Sequence, residues 1–566
     1  RPITCLSVPA HTDFFVVWSR LYRKIVSSTG ESCMFSTVLS AAINGMESKK
    51  VTVEADVADG LPTFTMVGYL ASETKEAAER VRSALRNSGL SIGVRHITVN
   101  LAPAALHKQG SSFDLAIAIA LLTAAETLKP ESVCGVLFIG ELGLNGRLNP
   151  VRGVLEIVSG ALSCGCGTVI VPAANLAEGS MIRGVRVLGA ETLVQVVSFL
   201  AAKAGPTEVP GMNLSMQGAL KPGSLYERRA DIEEVRHLQR KGQSRDFSQI
   251  RGQRLLRRAS EVAAAGFHNL LMIGPPGAGK TMTAHCLTTI MPEMTDEEVL
   301  EVSKIHSIAG TLPSDGLVTV RPFRGPHHTV TKPALCGGGA PPGPGEVSLA
   351  HRGILYLDEF PEFDKATIEA LRQPLEDRVI RISRVTGSYS FPAGFMLVAS
   401  MNPCRCGYFP DRSVCRCSNA EVRQYLSRIS MPLLDRIDLC VEARRVSFEE
   451  LTGGREEESS AEIRERVNKA HKRQKARYRG SACQFNSELS AADVKQFCRL
   501  TKEEERWMAK VYDSLSLTAR SYNRILKVAR TIADLDEEEQ ILPRHLSEAV
   551  SLRAVDRRYW DDALRN

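Results

Sequence analysis

The pattern of apolar and polar positions first becomes regular near residue 34. From there to residue 205, short runs such as KKVTVEADV and HITVNLA alternate apolar and polar residues. They predict β-strands, because successive side chains of a strand point to opposite faces. Between them, runs such as SETKEAAERVRSALRNSG carry apolar residues at three- and four-residue spacing and predict amphipathic helices. Residues 34–205 are therefore predicted to form an α/β domain.

The pattern changes three times after this block. Residues 206–245 are richer in proline, glycine and charge and are predicted to be a linker. Residues 246–446 return to buried strands alternating with helices and predict a second α/β domain. Residues 447–566 carry helical spacing throughout and predict an all-α segment.

The opening residues 1–33 follow none of these patterns. They contain no initiating methionine and lack the basic, apolar and small-residue order of a signal peptide. We assign them no fold and treat them as a candidate non-native leader, with Met34 as a plausible native start.

Composition narrows the class of protein. The chain of 566 residues is 43% hydrophobic and 24% charged, as expected for a globular protein of about three or four domains. Its longest apolar run, LAIAIALLTAA, is shorter than the roughly 20 residues that a membrane span needs, so no membrane partner is predicted. A net charge of +7 permits a polyanion partner without requiring one. The 14 cysteines follow no disulfide framework, which favours a reducing, cytoplasmic location.

The segment NLLMIGPPGAGKTMTAHCL reads as a buried strand, a glycine-rich loop and a helix. The loop fits the pattern G-x-x-x-x-G-K-[ST], in which backbone N–H groups and a helix N-terminus surround phosphate oxygens. Its lysine is predicted to reach the β- and γ-phosphates, and its threonine to ligate Mg²⁺. The sequence therefore predicts a Mg²⁺–ATP site built from Gly274, Pro275, Pro276, Gly277, Ala278, Gly279, Lys280 and Thr281.

Two later apolar strands end in polar residues suited to this chemistry. GILYLDEF ends in Asp358 and Glu359, which we expect to hold Mg²⁺ and to activate the attacking water as a general base, respectively. GFMLVASMN ends at Asn402, which could orient that water. These strands and the phosphate loop together predict an ATP-hydrolysing site.

The order of these motifs resembles that of AAA+ ATPases. The segment RPFRGPHHTVTKPALCGGGAPPGPGEVSLAHRG resembles the helix-2 insert region of magnesium-chelatase-like proteins. RVIRISRVTGSYSFPAGF is similar to the β-hairpin that precedes sensor 1 in those proteins and in MCM helicases. Together with the N-terminal block, the match over about 34–560 is close to the YifB/ComM family.

The resemblance implies roles for individual residues. Asn402 corresponds to sensor 1, Arg436 in PLLDRIDL to the arginine finger, and Arg520 in LTARSYNRIL to sensor 2. An arginine finger acts on ATP bound by a neighbouring subunit. The resemblance therefore implies a ring, usually a homo-hexamer, with residues 447–566 as a helical lid.

Both arginines have alternatives. Arg436 could instead form an ion pair with Asp435 or Asp438. Arg524 lies one helical turn after Arg520 and could take the sensor 2 position.

The first α/β block resembles the C-terminal fold of Lon protease. Lon-type proteolysis needs a serine nucleophile and a lysine that accepts its proton. Ser112 falls at the serine position, but the lysine position, after GRLNPVRG, falls at about Leu155. Since leucine cannot act as a base, the block is predicted to be a non-proteolytic Lon-like domain.

An ATPase core does not reveal what it moves. The resemblance implies a ComM-like helicase that drives branch migration in recombination or natural transformation, with single-stranded or branched DNA as partner. The hairpin RISRVTGSYSF offers Arg381 and Arg384 as DNA contacts, interpreted as sharing one strand face, with a small tip at 386–388. These arginines could instead pair with Glu376 or Asp377.

A second interpretation is a magnesium-chelatase-type motor subunit that drives metal insertion into a porphyrin. The ATPase core resembles that class too. Such motors lack a Lon-like block, however, and this chain has no D-x-S-x-S metal-adhesion motif of the partner subunit. The DNA motor is therefore the favoured interpretation.

Four cysteines stand in one short polar loop after Asn402, in the spacing C-x-C-x₈-C-x-C. Four thiolates can satisfy tetrahedral Zn²⁺. Free thiols or a redox switch are the alternatives, because C-x-C is tighter than the usual C-x-x-C. The loop is predicted to brace the region after the sensor strand, with candidate zinc ligands Cys404, Cys406, Cys415 and Cys417.

Overall fold

The computed structural model describes most of the chain. The predicted leader and most of the predicted linker lie outside the described residues. Those described are 34–203, 225–228, 232–241, 245–340, 342–384, 387–452, 457–481, 483–515, 517–553 and 555–560.

These residues form two compact units. The described residues up to Ile232, together with His306–Leu317, make up the first unit. Glu233–Ile305 and the described residues from Val318 onward make up the second.

The first unit is built on a seven-stranded mixed sheet in the order β3-β4-β2-β1-β5-β8-β9, with a separate two-stranded ribbon β6-β7. Strands β1 and β2 pair antiparallel over their full length, and β5, β8 and β9 run parallel. The strands are β1 Met34–Asn44, β2 Glu47–Ala58, β3 Thr63–Val67, β4 His96–Ala102, β5 Val136–Phe138, β6 Glu141–Leu142, β7 Leu148–Asn149, β8 Thr168–Pro172 and β9 Arg186–Ala190.

Helices cover this sheet. All residues of α3 are buried, which explains why its sequence is apolar on all sides. The helices of the first unit are α1 Ser72–Lys75, α2 Ala77–Asn87, α3 Asp114–Ala124, α4 Pro130–Val133, α5 Val154–Ala161, α6 Leu176–Gly179 and α7 Leu193–Lys203, with 3₁₀ turns at Leu162–Cys164 and Ala173–Asn175. Helix α8, Ile232–Lys241, belongs to the second unit except for its first residue. Helix α8 lies within the predicted linker.

The second unit holds a five-stranded parallel sheet in the order β11-β12-β15-β10-β16. Strands β10, β12 and β15 are buried along their whole length. A separate hairpin, β13-β14, directly precedes β15. The strands are β10 Leu270–Ile273, β11 Phe323–Arg324, β12 Ile354–Leu357, β13 Val379–Arg384, β14 Gly387–Pro392, β15 Met396–Met401 and β16 Leu439–Glu442.

Helices surround this sheet, and after β16 the described residues contain helices and no strand. The helices are α9 Arg254–Gly266, α10 Lys280–Ile290, α11 Asp296–Ala309, α12 Lys332–Cys336, α13 Glu346–Leu349, α14 Lys365–Glu369, α15 Pro374–Asp377, α16 Asn419–Leu426, α17 Met431–Leu434, α18 Phe448–Thr452, α19 Ser460–Arg477, α20 Ala491–Phe497, α21 Lys502–Ser514, α22 Ala519–Leu535, α23 Pro543–Ser551 and α24 Val555–Trp560. Further 3₁₀ turns cover Phe247–Gln249, Phe360–Glu362, Ala370–Arg372 and Asn486–Glu488.

Parallel pairing places the functional segments at one edge of this sheet. Because β10, β12 and β15 are neighbours and run in the same direction, their carboxyl ends meet. Gly274, Asp358 and Asn402 follow these three ends. This is the edge at which ligands bind in open α/β sheets.

The segment His306–Leu317 belongs to the first unit, although the sequence pattern placed it in the second α/β domain. The Ser307 hydroxyl donates to the buried Glu178 carboxylate, and Gly153 N–H donates to the Ser307 carbonyl at 3.2 Å. These contacts join residues far apart in the chain, so local periodicity could not indicate them.

No helix among the described residues is both long and apolar enough to cross a membrane.

Candidate functional site

The phosphate loop leaves β10 through a glycine that has no room for a side chain. Gly274 N–H donates to the Met401 carbonyl at 3.1 Å, which ties the loop to the end of β15. A Cβ atom on Gly274 would lie 2.2 Å from the Ala443 carbonyl oxygen. Gly277 and Gly279 have φ angles of +77° and +80°, and a Cβ on either would meet nothing within 4 Å. The loop is therefore fixed at its start and open where a phosphate would lie.

Several backbone N–H groups of this loop have no acceptor among the residues that the structure describes. The backbone hydrogen bonds of the described residues include none donated by the N–H groups of Gly277, Gly279, Lys280 or Thr281. Such N–H groups at the start of a helix form an anion-binding concavity. The donor set therefore fits a polyphosphate.

Lys280 points back across the loop. Its ammonium donates to the Gly274 and Pro275 carbonyls at 2.6 and 2.9 Å and to Asn402 Oδ1 at 3.2 Å. Burial lowers the pKa of Lys280, while the charges of Asp358 and Glu359 act in the opposite direction. The structure thus places the predicted lysine and the predicted sensor asparagine in direct contact.

A hydroxyl and a carboxylate meet beside the loop. Thr281 Oγ1 donates to Asp358 Oδ2 at 3.0 Å, and the Ser400 hydroxyl donates to Asp358 Oδ1. Burial alone would raise the pKa of Asp358, but hydrogen bonds from Ser400, Thr281 and Tyr356 outweigh it and hold that pKa below its usual value. An ionised carboxylate beside a threonine hydroxyl is a donor set that suits Mg²⁺.

Two of these supporting residues were missed by the sequence reasoning. Tyr356 donates to Thr281 Oγ1 at 3.2 Å and lies 3.0 Å from Ser400 Oγ. Burial raises the pKa of Tyr356 to about 12, so its hydroxyl keeps its proton. Both residues lie within apolar strands. Their only signal in the sequence is position: Tyr356 lies two residues before Asp358, and Ser400 lies two residues before Asn402.

Glu359 stands in a strained position at the mouth of the site. Its φ is +51°, an uncommon conformation for a residue with a side chain. Its side chain is 58% exposed, and Oε2 lies 3.6 Å from His328 Nδ1. An exposed carboxylate directly after the Mg²⁺-type ligand Asp358 is where a general base would be needed.

The two predicted arginines lie together in a second cluster. Arg436 is 7% exposed, donates from Nε to the Arg372 carbonyl at 3.1 Å, and pairs with the Glu376 carboxylate. Arg520 pairs with the same carboxylate. No hydrogen bond or ion pair in the described part of the chain links either arginine to the phosphate loop. The ion-pair partner of Arg436 is thus Glu376, and neither of the aspartates considered from the sequence.

Arg524 has a different partner. Its Nε lies 3.6 Å from Asp438 Oδ1, and burial lowers its pKa to about 10. Arg436, Arg520 and Arg524 all line one cavity of about 560 Å³, with Glu376, Asp438 and Glu488 as its acids. Arg520 therefore shares the carboxylate of Arg436, whereas Arg524 pairs with Asp438.

The hairpin carries the two candidate DNA arginines on β13. Arg381 faces Ser390 and Arg384 faces Gly387 across the ribbon. Because side chains alternate along a strand, positions three apart lie on opposite faces, and the prediction of one shared face is wrong. Arg381 lies 3.7 Å from Asp377 and remains 61% exposed, and Arg384 is exposed at the strand end. Thr386 of the predicted tip lies outside the described residues.

The four loop cysteines converge. Their sulfur atoms all lie within 4.8 Å of one another, and Cys404 Sγ is 3.3 Å from Cys406 Sγ and 3.8 Å from Cys415 Sγ. None of the four forms a disulfide bond. Phe409 N–H also donates to Cys404 Sγ at 3.4 Å. The chemistry and spacing of these donors fit a tetrahedral Zn²⁺ site.

In the first unit, the position aligned with the Lon lysine is apolar. Leu155 is fully buried in α5, and its N–H donates to Glu178 Oε1 at 2.9 Å. Burial raises the pKa of Glu178, although Ser307, Leu155 and Asn175 hydrogen-bond to it. Ser112 accepts the Gly140 N–H at its carbonyl at 2.9 Å. The position of Leu155 supplies no general base for Ser112.

Family profiles match three parts of the chain. "Magnesium chelatase, subunit ChlI" matches residues 246–451, "Subunit ChlI of Mg-chelatase" matches 53–175, and "Magnesium chelatase, subunit ChlI C-terminal" matches 457–553. The three matches cover most of both units.

Curated relatives match over nearly the whole chain. The protein YifB of Escherichia coli K12 is 40% identical over 526 residues, which are 92% of this chain and 97% of the relative. Competence protein ComM of Haemophilus influenzae is 40% identical over 520 residues, again 92% of this chain and 97% of the relative. Lon protease of Mycolicibacterium smegmatis is 29% identical over 159 residues, which are 27% of this chain and 20% of that protein.

A parallel sheet with a glycine-rich phosphate loop, an acid-ended strand and an asparagine-ended strand defines a magnesium-chelatase-like protein of the AAA+ class. Within that class, the chain belongs to the YifB/ComM family.

Proposed function

We propose that this protein is a ring-forming ATPase that couples hydrolysis of Mg²⁺–ATP to movement along DNA, as a ComM-like branch-migration helicase in recombination or natural transformation. The observation that carries the ATPase assignment is the joined cluster in which Lys280 contacts Asn402 and Thr281 contacts Asp358. The name of the Haemophilus relative, a competence protein, supports a role in the handling of incoming DNA.

Each residue of the cluster has a distinct task in this proposal. Thr281 and Asp358 would hold Mg²⁺, which when bound neutralises charge on the β- and γ-phosphates. Lys280 and the unsatisfied loop N–H groups bind the phosphate oxygens. Glu359 takes the proton of the attacking water, and Asn402 orients that water.

Arg436 acts as the arginine finger on the nucleotide of a neighbouring subunit, and Arg520 serves as sensor 2. Both pair with Glu376 and neither contacts the phosphate loop within the described chain. Two arginines on one carboxylate leave net positive charge available to a γ-phosphate brought by a neighbour. This arrangement supports a ring, most simply a homo-hexamer, in which the described helices after residue 447 form the lid carrying Arg520.

The proposed metal content is Mg²⁺ at the nucleotide site and one Zn²⁺ in the four-cysteine loop. The convergence of four sulfur atoms supports zinc over free thiols. The Lon-like domain is proposed to be non-proteolytic because Leu155 occupies the place of the base.

The β13-β14 hairpin is the proposed DNA contact. Its two arginines are exposed, so DNA phosphates can reach them. Binding of a phosphate by Arg381 would replace only an exposed ion pair with Asp377, which contributes little to stability. The alternative, a motor subunit for metal insertion into a porphyrin, is supported by the family profile over the ATPase core. DNA dependence of ATP hydrolysis separates the two.

We expect single-stranded and forked DNA to stimulate ATP hydrolysis, and Arg381→Ala with Arg384→Ala to weaken DNA binding by about tenfold or more, because phosphate contacts dominate such affinity. Turnover is measured with and without each DNA, and binding by fluorescence anisotropy. Arg499→Ala with Arg506→Ala removes the same charge from two exposed positions outside the hairpin, one just before α21 and one on it, and should bind DNA as the unmodified protein does. An ATP turnover rate that DNA does not change would favour the interpretation as a magnesium-chelatase-type motor subunit.

A further inference from the structure

The four-cysteine loop touches the phosphate loop. Gly407 follows Cys406 directly, and a Cβ atom built on it would lie 2.6 Å from Pro276 Cδ and 3.1 Å from Pro276 Cγ. The same Cβ would lie 3.9 Å from Asn402 Cγ. The backbone of the cysteine loop therefore packs against the middle of the phosphate loop, beside the sensor residue.

Cysteine contacts hold this glycine in position. Gly407 N–H donates to the Cys404 carbonyl at 3.0 Å, which closes a tight turn between the first two cysteines. Cys404 is fully buried and Cys415 is 6% exposed, while Cys406 is 3.5 Å from Cys415, sulfur to sulfur. The turn is thus anchored through the side chains of Cys404 and Cys406 at the point where the four sulfur atoms meet.

The other side of the phosphate loop is tied to the same strand. Gly274 N–H is bonded to the Met401 carbonyl, and Lys280 bridges the Pro275 carbonyl and Asn402. Pro276 is exposed to solvent, but Gly407 lies against its ring, and the lysine-bonded segment fixes the residue before it. Movement of Gly407 would change the space available to Pro276 and the position of Asn402.

We propose that the four-cysteine loop is a metal-held brace on the phosphate loop, so that zinc occupancy sets the affinity for ATP through contact of Gly407 with Pro276. This inference rests on the zinc and ATP sites proposed above. It adds a regulatory link between two sites that are otherwise chemically separate. A structural metal closing a loop with little core of its own gives that loop a defined position only while the metal is bound.

Gly407→Ala tests the contact, because the added methyl group collides with Pro276. Gly480→Ala is a matched control: Gly407 and Gly480 have φ angles of +86° and +85°, but a Cβ on Gly480 meets nothing within 4 Å. We expect Gly407→Ala to weaken binding of a fluorescent ATP analogue by about tenfold, and Gly480→Ala by less than about twofold. Zinc content, measured by elemental analysis, should stay at about one per chain in both.

A second variant separates collision from general damage. Pro276→Ala removes Cγ and Cδ, so the double variant Gly407→Ala/Pro276→Ala should bind ATP more tightly than Gly407→Ala alone. Additive losses in the double variant, or tight ATP binding by Gly407→Ala, would overturn the proposed contact.

Metal removal tests the role of zinc. A zinc-selective chelator, used with Mg²⁺ in excess, should weaken ATP binding by the unmodified protein by about fivefold or more, and added Zn²⁺ should restore it. Unchanged ATP affinity in zinc-free protein would overturn the brace while leaving the ATPase proposal standing. Absence of ATP binding by the zinc-loaded unmodified protein would instead overturn the ATPase proposal and the brace that rests on it.

Discussion

Replacement of Lys280 by alanine is expected to reduce ATP hydrolysis by about 10²–10³-fold, the range seen when one preorganised charge-stabilising donor is removed. Lys280 is the ammonium that contacts Asn402 and the loop carbonyls, so its loss leaves the γ-phosphate region without its fixed positive charge. Steady-state phosphate release measures the effect.

Two variants sharpen this result. Glu359→Gln should also stop hydrolysis but retain ATP binding. Glu359 is exposed, and within the described residues its side chain contacts His328 and makes no hydrogen bond or ion pair with the phosphate loop. Lys502→Ala removes an exposed lysine from α21 and should hydrolyse ATP at the normal rate. Normal hydrolysis by Lys280→Ala would contradict the assignment of the nucleotide site.

Arg436→Ala is expected to lose turnover by about 10³–10⁵-fold, the range for a trans-acting arginine finger. In the proposed ring, the ATP bound by one subunit contacts Arg436 of the neighbouring subunit. Mixing Arg436→Ala with Lys280→Ala subunits should therefore recover activity. A phosphate loop from one variant then meets an arginine from the other, at about a quarter of the interfaces in a random equal mixture.

The mixing experiment also controls for damage to the fold. Arg436 is buried and paired with Glu376, so its removal could lower the free energy of unfolding as well as turnover. A destabilised subunit would not regain activity when mixed with a second inactive one. If the mixture stays as inactive as each variant alone, Arg436 does not act between subunits.

Local sequence was sufficient to predict which residues the structure brings together at the proposed nucleotide site. The motifs around Lys280, Asp358 and Asn402 each end an apolar strand, and parallel neighbours bring such ends together. Nothing local could predict that Arg436 and Arg520 share Glu376. That carboxylate lies on the short helix α15, and both ion pairs connect residues distant in the chain.

Other differences between the sequence predictions and the structure also have specific physical causes. Arg436 pairs with Glu376 on α15 and not with its sequence neighbours Asp435 or Asp438. Arg381 and Arg384 lie on opposite faces of β13, because residues an odd number of positions apart on a strand point in opposite directions. The convergence of the cysteines agrees with their spacing, but the contact of Gly407 with Pro276 depends on tertiary packing that only the structure reveals.

The most direct test of the central claim is branch migration measured on a fluorescent DNA junction, with ATP and Mg²⁺, for the unmodified protein and for Lys280→Ala. We expect ATP-dependent conversion of the junction to separated products by the unmodified protein and none by Lys280→Ala. Hydrolysis of ATP by the unmodified protein without any movement of the junction would contradict the proposed helicase function.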